Sequence, residues 1–252
     1  MMQGSARPGT CGCVSLPDKG IFTVSLDFEL HWGMRDKRTA AQHRDALLGA
    51  RKAIPRMLEL FTRYGVHATW ATVGFLFCES KQQLIRSAPA IRPNYENARL
   101  DPYRALAEVG ENEKQDPFHF APSLIRQIVA HEGQEIASHT FSHFYCLEAG
   151  PTREAFKADL SAAIEVARPF GKVRSVVFPR NQYSPEHVSV LAELGLSAYR
   201  GNPQMWMYRP SDDRSSNVLA RRLGRFADAY LPLSRPALRR EAMSTTRPVD
   251  IC

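Results

Sequence analysis

The stretch EIASHTFSH, residues 135–143, places two histidines four positions apart directly after a short apolar run. Such a run followed by polar residues is typical of a buried strand that ends at a site. Side chains four apart on one helical turn are neighbours, so the spacing predicts that His139 and His143 approach the same metal ion. The same spacing also arises by chance on helix faces, and this alternative stays open.

A second polar cluster ends the apolar run at the start of the chain, in SLDFELHWG at residues 25–33. In an extended chain, residues two apart point to the same side, so we expect Asp27 and Glu29 to face one cavity. Two neighbouring carboxylates raise the pKa of one of them unless a cation lies between. The pair therefore indicates a metal ligand or a base, with a solvated strand end as the alternative.

A third cluster, VVFPRNQY at residues 176–183, again ends an apolar run. Arg180 is placed to hold an anionic base or substrate group by charge-assisted hydrogen bonds, although an arginine after a strand is commonly an ordinary surface residue. All three clusters follow predicted strands, and the carboxyl ends of parallel strands are where α/β proteins collect their active-site residues.

Around these clusters, predicted strands alternate with predicted helices. We expect strands at 21–28, 66–73, 135–138, 173–178 and 196–199, and helices at 40–64, 152–167 and after Pro185. Pro55 is expected to kink or divide the first helix, and Gly65 to end it. The alternation predicts an α/β barrel or an open α/β sheet, with residues 91–120 as a long insertion that lines the site or only elaborates the surface.

Composition is that of one globular domain, with 252 residues, 44% hydrophobic and 23% charged. The net charge of +7 is concentrated late, with ten arginines and five acids from Arg200 onward, but no motif indicates a specific nucleic-acid partner. The five cysteines lack a disulfide pattern and are expected to be reduced. Residues 1–20 are predicted to be a flexible leader without a signal sequence, and no apolar run is long enough for a membrane span, so a cytoplasmic location is expected.

Together the three clusters resemble the polysaccharide deacetylase family, whose NodB-homology domain is a distorted (β/α) barrel. HTFSH at 139–143 matches the family motif His-[Ser/Thr]-x-x-His in full. The other clusters depart from the commonest pattern, because Asp27 and Glu29 are not adjacent and Arg180 follows Pro179 instead of preceding it. The implied barrel domain spans 21–210, and a basic tail follows at 211–252.

The resemblance implies a role for each matching residue. Asp27 would be the general base, Arg180 would orient it, and the backbone N–H of Tyr183 would contribute to an oxyanion hole. A divalent metal ion, zinc, would be bound by Glu29, His139 and His143. His31 and Trp32 lie close enough in sequence to this site to contact a carbohydrate substrate.

The implied activity is hydrolysis of a carbon–nitrogen bond, namely N-deacetylation of an amino sugar or polysaccharide intermediate. The family also supplies a late histidine as proton donor, but no histidine follows His187 here. The tail has a predicted helix at 218–230 and no predicted strand, so the barrel is expected to be incomplete at its C-terminus. Two alternatives therefore stay open: a noncatalytic sugar-binding or regulatory remnant, and a hydrolase of a small cyclic amide. The sequence does not predict the oligomeric state.

Overall fold

The computed structural model describes residues 22–203, 205–209, 218–231 and 248–250. The predicted leader at 1–20, most of the tail at 211–252, and Cys11, Cys13 and Cys252 lie outside the described residues. Cys78 and Cys146 are buried free thiols, as expected. Within the described ranges, no helix has the length and apolar composition needed to cross a bilayer.

The strands form one parallel sheet in sequential order. They are β1 (Ser25–Phe28), β2 (Ala68–Thr72), β3 (Gln134–Ser138), β4 (Ser175–Val177), β5 (Ala198–Arg200) and β6 (Val249–Asp250). The strand order never reverses, as in (β/α) barrels and unlike doubly wound sheets, which confirms the predicted fold class. The expectation that the tail lacks a strand is wrong, because β6 pairs with β5 through Val249 and Asp250.

The sheet is strongly curved, and one ion pair demonstrates it. Neighbouring strands lie about 4.8 Å apart, so β1 and β5 would be separated by roughly 19 Å in a flat sheet. Nevertheless, Nη1 of Arg200 on β5 lies 2.8 Å from Oδ1 of Asp27 on β1. These side chains can meet only if the sheet curls around a common interior, as expected for a barrel wall.

The two faces of the sheet bury different side chains. Trp70, Ile136 and Val176 belong to the main hydrophobic core, which the helices cover. The alternate residues Ala71 and Ala137 form a separate small cluster with Val177. Two of the three side chains in this inner cluster are therefore alanines, the smallest that a strand can bury there.

Six helices accompany the sheet within the described residues: α1 (Arg44–Tyr64), α2 (Lys81–Ser87), α3 (Pro122–Ala130), α4 (Arg153–Ala167), α5 (Pro185–Glu193) and α6 (Val218–Tyr230). Helix α1 runs through Pro55 without a boundary and ends at Gly65, whose left-handed backbone (φ 61°) favours glycine. The predicted helix end at Gly65 is confirmed, and a boundary at Pro55 is wrong. Helices α2 and α3 were not predicted.

The segment at residues 91–120 contains two short 3-10 turns, Ala98–Leu100 and Arg104–Ala107. Its far end packs against the residues that follow β1. The carbonyl oxygen of Phe118 accepts from the backbone N–H of His31 at 3.2 Å, and that of His119 accepts from the indole N–H of Trp32 at 3.0 Å. One wall of the region beyond β1 is therefore built by this segment.

Candidate metal centre

His139 and His143 lie on the loop that follows β3. The helical turn expected for this pair is wrong, because the backbone of Thr140 and His143 has positive φ, 61° and 58° respectively. The loop turns back on itself and brings both imidazoles to one side. Their ring centroids are 5.1 Å apart, and both side chains are almost completely buried.

Buried hydrogen bonds hold this loop in place. One carboxylate oxygen of Asp159, on α4, accepts from the backbone N–H groups of Phe141 at 2.7 Å and Ser142 at 3.3 Å. Its other oxygen accepts from the Ser142 hydroxyl. The hydroxyl of Thr140 donates to the His139 carbonyl at 2.6 Å and accepts from the N–H of Phe144 at 2.7 Å. These contacts replace the pairing that a regular element would supply.

Unusual backbone geometry is concentrated at the three predicted clusters. Among the described residues, the non-glycine residues with positive φ are Leu30, Thr140, His143, Arg180 and Asn181. They follow β1, β3 and β4. Each such conformation costs about 1–3 kcal/mol and persists where surrounding contacts enforce it, most often at functional sites.

Glu29 completes the cluster from the end of β1. The backbone of Glu29 is not extended (φ −126°, ψ −16°), so the chain turns at this residue. Oε2 of Glu29 lies 2.9 Å from Nε2 of His143 and 3.3 Å from Nε2 of His139. One ligand atom from each of the three residues lies within 4.8 Å of the others. This spacing fits a single ion bound by two imidazoles and a carboxylate.

The tautomer of His139 favours a cation between its imidazole and the Glu29 carboxylate. Nδ1 of His139 is 2.9 Å from the carbonyl oxygen of Val177, which can only accept, so Nδ1 carries the proton. In the neutral imidazole, the lone pair of Nε2 therefore points at the Glu29 carboxylate, 3.3 Å away. Two lone pairs that face each other repel unless a positive charge lies between them. A backbone carbonyl that fixes the other ring nitrogen is also the usual support of a metal-bound histidine.

The protonation states suit metal binding. Burial raises the pKa of Glu29, but hydrogen bonds and charge interactions with His139 and His143 outweigh it and hold this pKa well below its usual range. Burial lowers the pKa of His143 to about 4, and the contact with Glu29 only partly offsets it. At neutral pH the site therefore presents an ionised carboxylate and a neutral imidazole, the forms that bind metals.

The absence of a side chain at Gly33 leaves the space that the Glu29 carboxylate occupies. A Cβ atom at Gly33 would lie 2.0 Å from Cδ and Oε1 of Glu29. Any larger residue would push the carboxylate away from the two histidines. The turn Leu30–Gly33 thus folds back over Glu29, with the Trp32 N–H donating to the Glu29 carbonyl at 3.0 Å.

Asp27 stands apart from this ligand group and pairs with Arg200. The guanidinium of Arg200 makes two contacts with the carboxylate, at 2.8 and 2.9 Å, and also contacts the Ser25 hydroxyl at 3.2 Å. The expectation that Arg180 orients Asp27 is therefore wrong. Arg200 ends β5, so its position after a predicted strand was the signal that could have found it.

Arg180 instead belongs to a buried network beside His143. It pairs with Asp36, lies 3.8 Å from Glu148, and stacks on the Tyr145 ring, 4.2 Å from its centroid. The Tyr145 ring contacts the imidazole of His143, with centroids 5.1 Å apart. Arg180 therefore supports the wall of the metal centre. Asp36 and Tyr145 were not singled out from the sequence.

The remaining predicted residues have mixed placements. Trp32 is completely buried and packs edge-on against Phe75, so its predicted contact with substrate is wrong. His31 is 6% exposed and packs against His119, so it too is buried. The Tyr183 hydroxyl accepts from the N–H of Asn202 at 3.1 Å. The role of its backbone N–H in an oxyanion hole stays a prediction.

The fold and the cluster define an α/β barrel with a two-histidine, one-carboxylate centre at the carboxyl ends of its strands. The family model described as polysaccharide deacetylase matches residues 35–199, about two thirds of the chain. The chain therefore belongs to the polysaccharide deacetylase family. No curated protein sequence matches it significantly.

Several solved structures share low sequence identity with the chain. A protein from Mycobacterium smegmatis described as a polysaccharide deacetylase is 18% identical, with a TM-score of 0.48, and the match covers 75% of this chain and 54% of that one. A CE4 family pseudoenzyme from Bacillus anthracis is 13% identical, with a TM-score of 0.42 and coverages of 75% and 45%. A Streptococcus pyogenes deacetylase in complex with acetate is 11% identical, with a TM-score of 0.42 and coverages of 72% and 56%. The chain spans about half the length of these structures.

The space at Gly33 gives a testable prediction. Gly33→Ala should weaken zinc binding about 10- to 100-fold, because the new methyl group displaces the Glu29 carboxylate. Competition with a chromogenic chelator measures this affinity. Gly49→Ala, on an exposed part of α1 with no atom within 4 Å, is the matched control. Equal zinc affinity in Gly33→Ala and wild type would contradict the assigned geometry.

The contact between Asp159 and the loop after β3 gives a testable prediction about how stability depends on pH. Burial raises the pKa of Asp159 to about 6, although hydrogen bonds from Ser142 and Phe141 lower it. Its protonation therefore favours the folded state below about pH 4, and this contribution is lost as the pH rises through 6. Relative to Asp159→Asn, which cannot titrate, the wild type should lose about 2 kcal/mol of unfolding free energy between pH 4 and 6.

Urea denaturation at a series of pH values measures this difference. Glu132→Gln, at an exposed position after α3, controls for removal of a carboxylate. A difference between wild type and Asp159→Asn that stays constant from pH 4 to 6 would show that the folded state does not perturb Asp159.

Proposed function

We propose that this protein is a metal-dependent hydrolase that removes the N-acetyl group from an amino sugar or polysaccharide intermediate. The observation that carries the proposal is the convergence of Glu29, His139 and His143, whose ligand atoms lie within 4.8 Å of one another. Family membership supports hydrolysis of a carbon–nitrogen bond. We propose in addition that the reaction requires a bound metal ion and that its substrate is an amino sugar.

Zinc is the metal that best suits the donor set. Two histidines and one carboxylate are a common ligand set of hydrolytic zinc sites, which keep a further position for water or substrate. A bound zinc ion would supply Lewis acidity, lowering the pKa of water and polarising the acetamide carbonyl. The side chain of Glu29 is 30% exposed, whereas those of His139 and His143 are 1% and 2% exposed, so the site opens on its carboxylate side.

Asp27 is the residue we assign as general base. Its side chain is 38% exposed, and it lies two residues before Glu29 at the end of β1. The bidentate pair with Arg200 fixes the orientation of its carboxylate while leaving lone pairs that can accept a proton. Arg200 is accordingly a positioning residue for Asp27.

The reaction then balances as a hydrolysis. Asp27 accepts a proton from the water whose oxygen attacks the acetamide carbonyl carbon. The carbonyl oxygen gains negative charge, and the backbone N–H of Tyr183 is our candidate donor to it, a type of contact often worth about 3 kcal/mol. The carbon–nitrogen bond breaks, acetate leaves, and the amine nitrogen takes up a proton equivalent to the one that Asp27 accepted.

Metal analysis and acetate release together test the proposal. Wild type should bind one zinc ion per chain and release acetate from N-acetylated glucosamine oligomers. His139→Ala should lose both properties, while Asp27→Asn should keep the metal and lose turnover at least 100-fold. His131→Ala, which changes a histidine whose ring hydrogen-bonds to the Gln127 carbonyl at the end of α3, should leave both unchanged.

Three results would contradict the proposal in different ways. Absence of stoichiometric metal in wild type would remove the metal centre. Metal with saturable sugar binding but no acetate release would favour a noncatalytic sugar-binding protein. Turnover of small cyclic amides, without acetate release from sugars, would keep the hydrolase and replace its substrate.

A further inference from the structure

A groove lined by basic residues lies between the loop that follows β1 and the segment at residues 91–120. Its volume is about 420 Å³. We call it the cationic groove; its positively charged side chains are Arg35, Lys37, Arg38, Arg99 and Arg104. The sequence left open whether the segment at residues 91–120 lines the site or only elaborates the surface. Its residues in the cationic groove lie beside the candidate site.

The acids of the groove neutralise only part of this charge. Asp36 is paired with Arg180, and Asp101 lies 3.5 Å from Arg104. In the part of the chain that the structure describes, no carboxylate pairs with Lys37, Arg38 or Arg99. An excess of positive charge therefore faces the groove, opposed there by Glu108.

Arg35 provides a second, independent observation. One end of its guanidinium donates to the Leu100 carbonyl and so ties the two walls together. Its Nε and Nη1 atoms are buried and have no hydrogen-bond partner in the described structure. Buried, unpartnered donors on a charged group are unfavourable, and a nearby anion would offset this cost.

The cationic groove adjoins the metal centre through Tyr145. The guanidinium carbon of Arg35 is 5.6 Å from the centroid of the Tyr145 ring, and the same ring contacts His143. Asp36, which lines the groove, also anchors Arg180 beside that ring. The groove and the metal centre therefore lie on either side of the buried Tyr145 ring, and a substrate bound at both sites would span this ring.

We propose that the cationic groove binds a phosphate or diphosphate group attached to the amino-sugar substrate. This inference rests on the proposed function and narrows it to phosphorylated amino sugars. Guanidinium groups bind phosphate oxygens through two parallel hydrogen bonds, and several cations in one groove suit a group with more than one negative charge. A neutral oligosaccharide would leave this charge unmatched.

Binding of pyrophosphate tests the groove without any need for turnover. Isothermal titration calorimetry on the zinc-loaded protein should detect pyrophosphate binding to wild type. The double variant Lys37→Gln/Arg99→Gln should bind it about tenfold more weakly, because two of the unpaired charges are gone. Lys52→Gln/Arg86→Gln removes the same charges from exposed positions outside the groove and should bind as wild type does.

Acetate release then identifies the source of the phosphate. The substrates are N-acetylglucosamine, its 1-phosphate and its uridine diphosphate derivative. One phosphorylated sugar should have a KM at least tenfold below that of the neutral sugar, and the groove variant should raise that KM with little change in kcat. Preference for the 1-phosphate or for the nucleotide sugar distinguishes a monophosphate from a diphosphate ligand.

The outcomes separate this inference from the proposed function. Equal KM values for neutral and phosphorylated sugars, or equal pyrophosphate affinity in the groove variant and the wild type, would overturn the phosphate site while leaving the deacetylase intact. Pyrophosphate binding that depends on Lys37 and Arg99, with no acetate released from any sugar, would support the anion site and contradict the proposed function.

Discussion

The loop after β3 adopts a conformation that the chain would not choose without support, and the candidate metal centre depends on it. Positive φ angles at Thr140 and His143 cost about 1–3 kcal/mol each. The buried carboxylate of Asp159 and the hydroxyl of Thr140 offset this cost with hydrogen bonds to the loop backbone. Without these contacts, the loop would not hold the two imidazoles beside Glu29.

The curvature of the sheet gives the two carboxylates of β1 different environments. Asp27 is still on the strand and points into the interior, where Arg200 of β5 meets it. Glu29 lies beyond the last strand residue, and the turn of the backbone there directs it to the histidine loop. One carboxylate is thus paired with a fixed cation, and the other faces two imidazoles, which suits the separate roles of base and ligand.

The sequence was sufficient for several features that depend on local patterns. Apolar runs located the first five strands, the left-handed glycine marked the end of α1, and the motif at residues 139–143 identified the histidine pair. The sequence could not identify contacts between residues that are distant along the chain. The pairing of Asp27 with Arg200 requires the curvature of the sheet, and that of the loop with Asp159 requires the docking of α4. The burial of Trp32 likewise follows from the packing of residues 91–120, distant in sequence.

The most direct test of the metal centre is an anomalous difference map at the zinc absorption edge, from crystals grown with one equivalent of zinc. We expect one strong peak about 2.0–2.2 Å from Nε2 of His139, Nε2 of His143 and a carboxylate oxygen of Glu29. Asp27 should remain paired with Arg200 outside the first coordination shell. A peak elsewhere, or the absence of a peak at these three side chains, would contradict a metal centre formed by Glu29, His139 and His143.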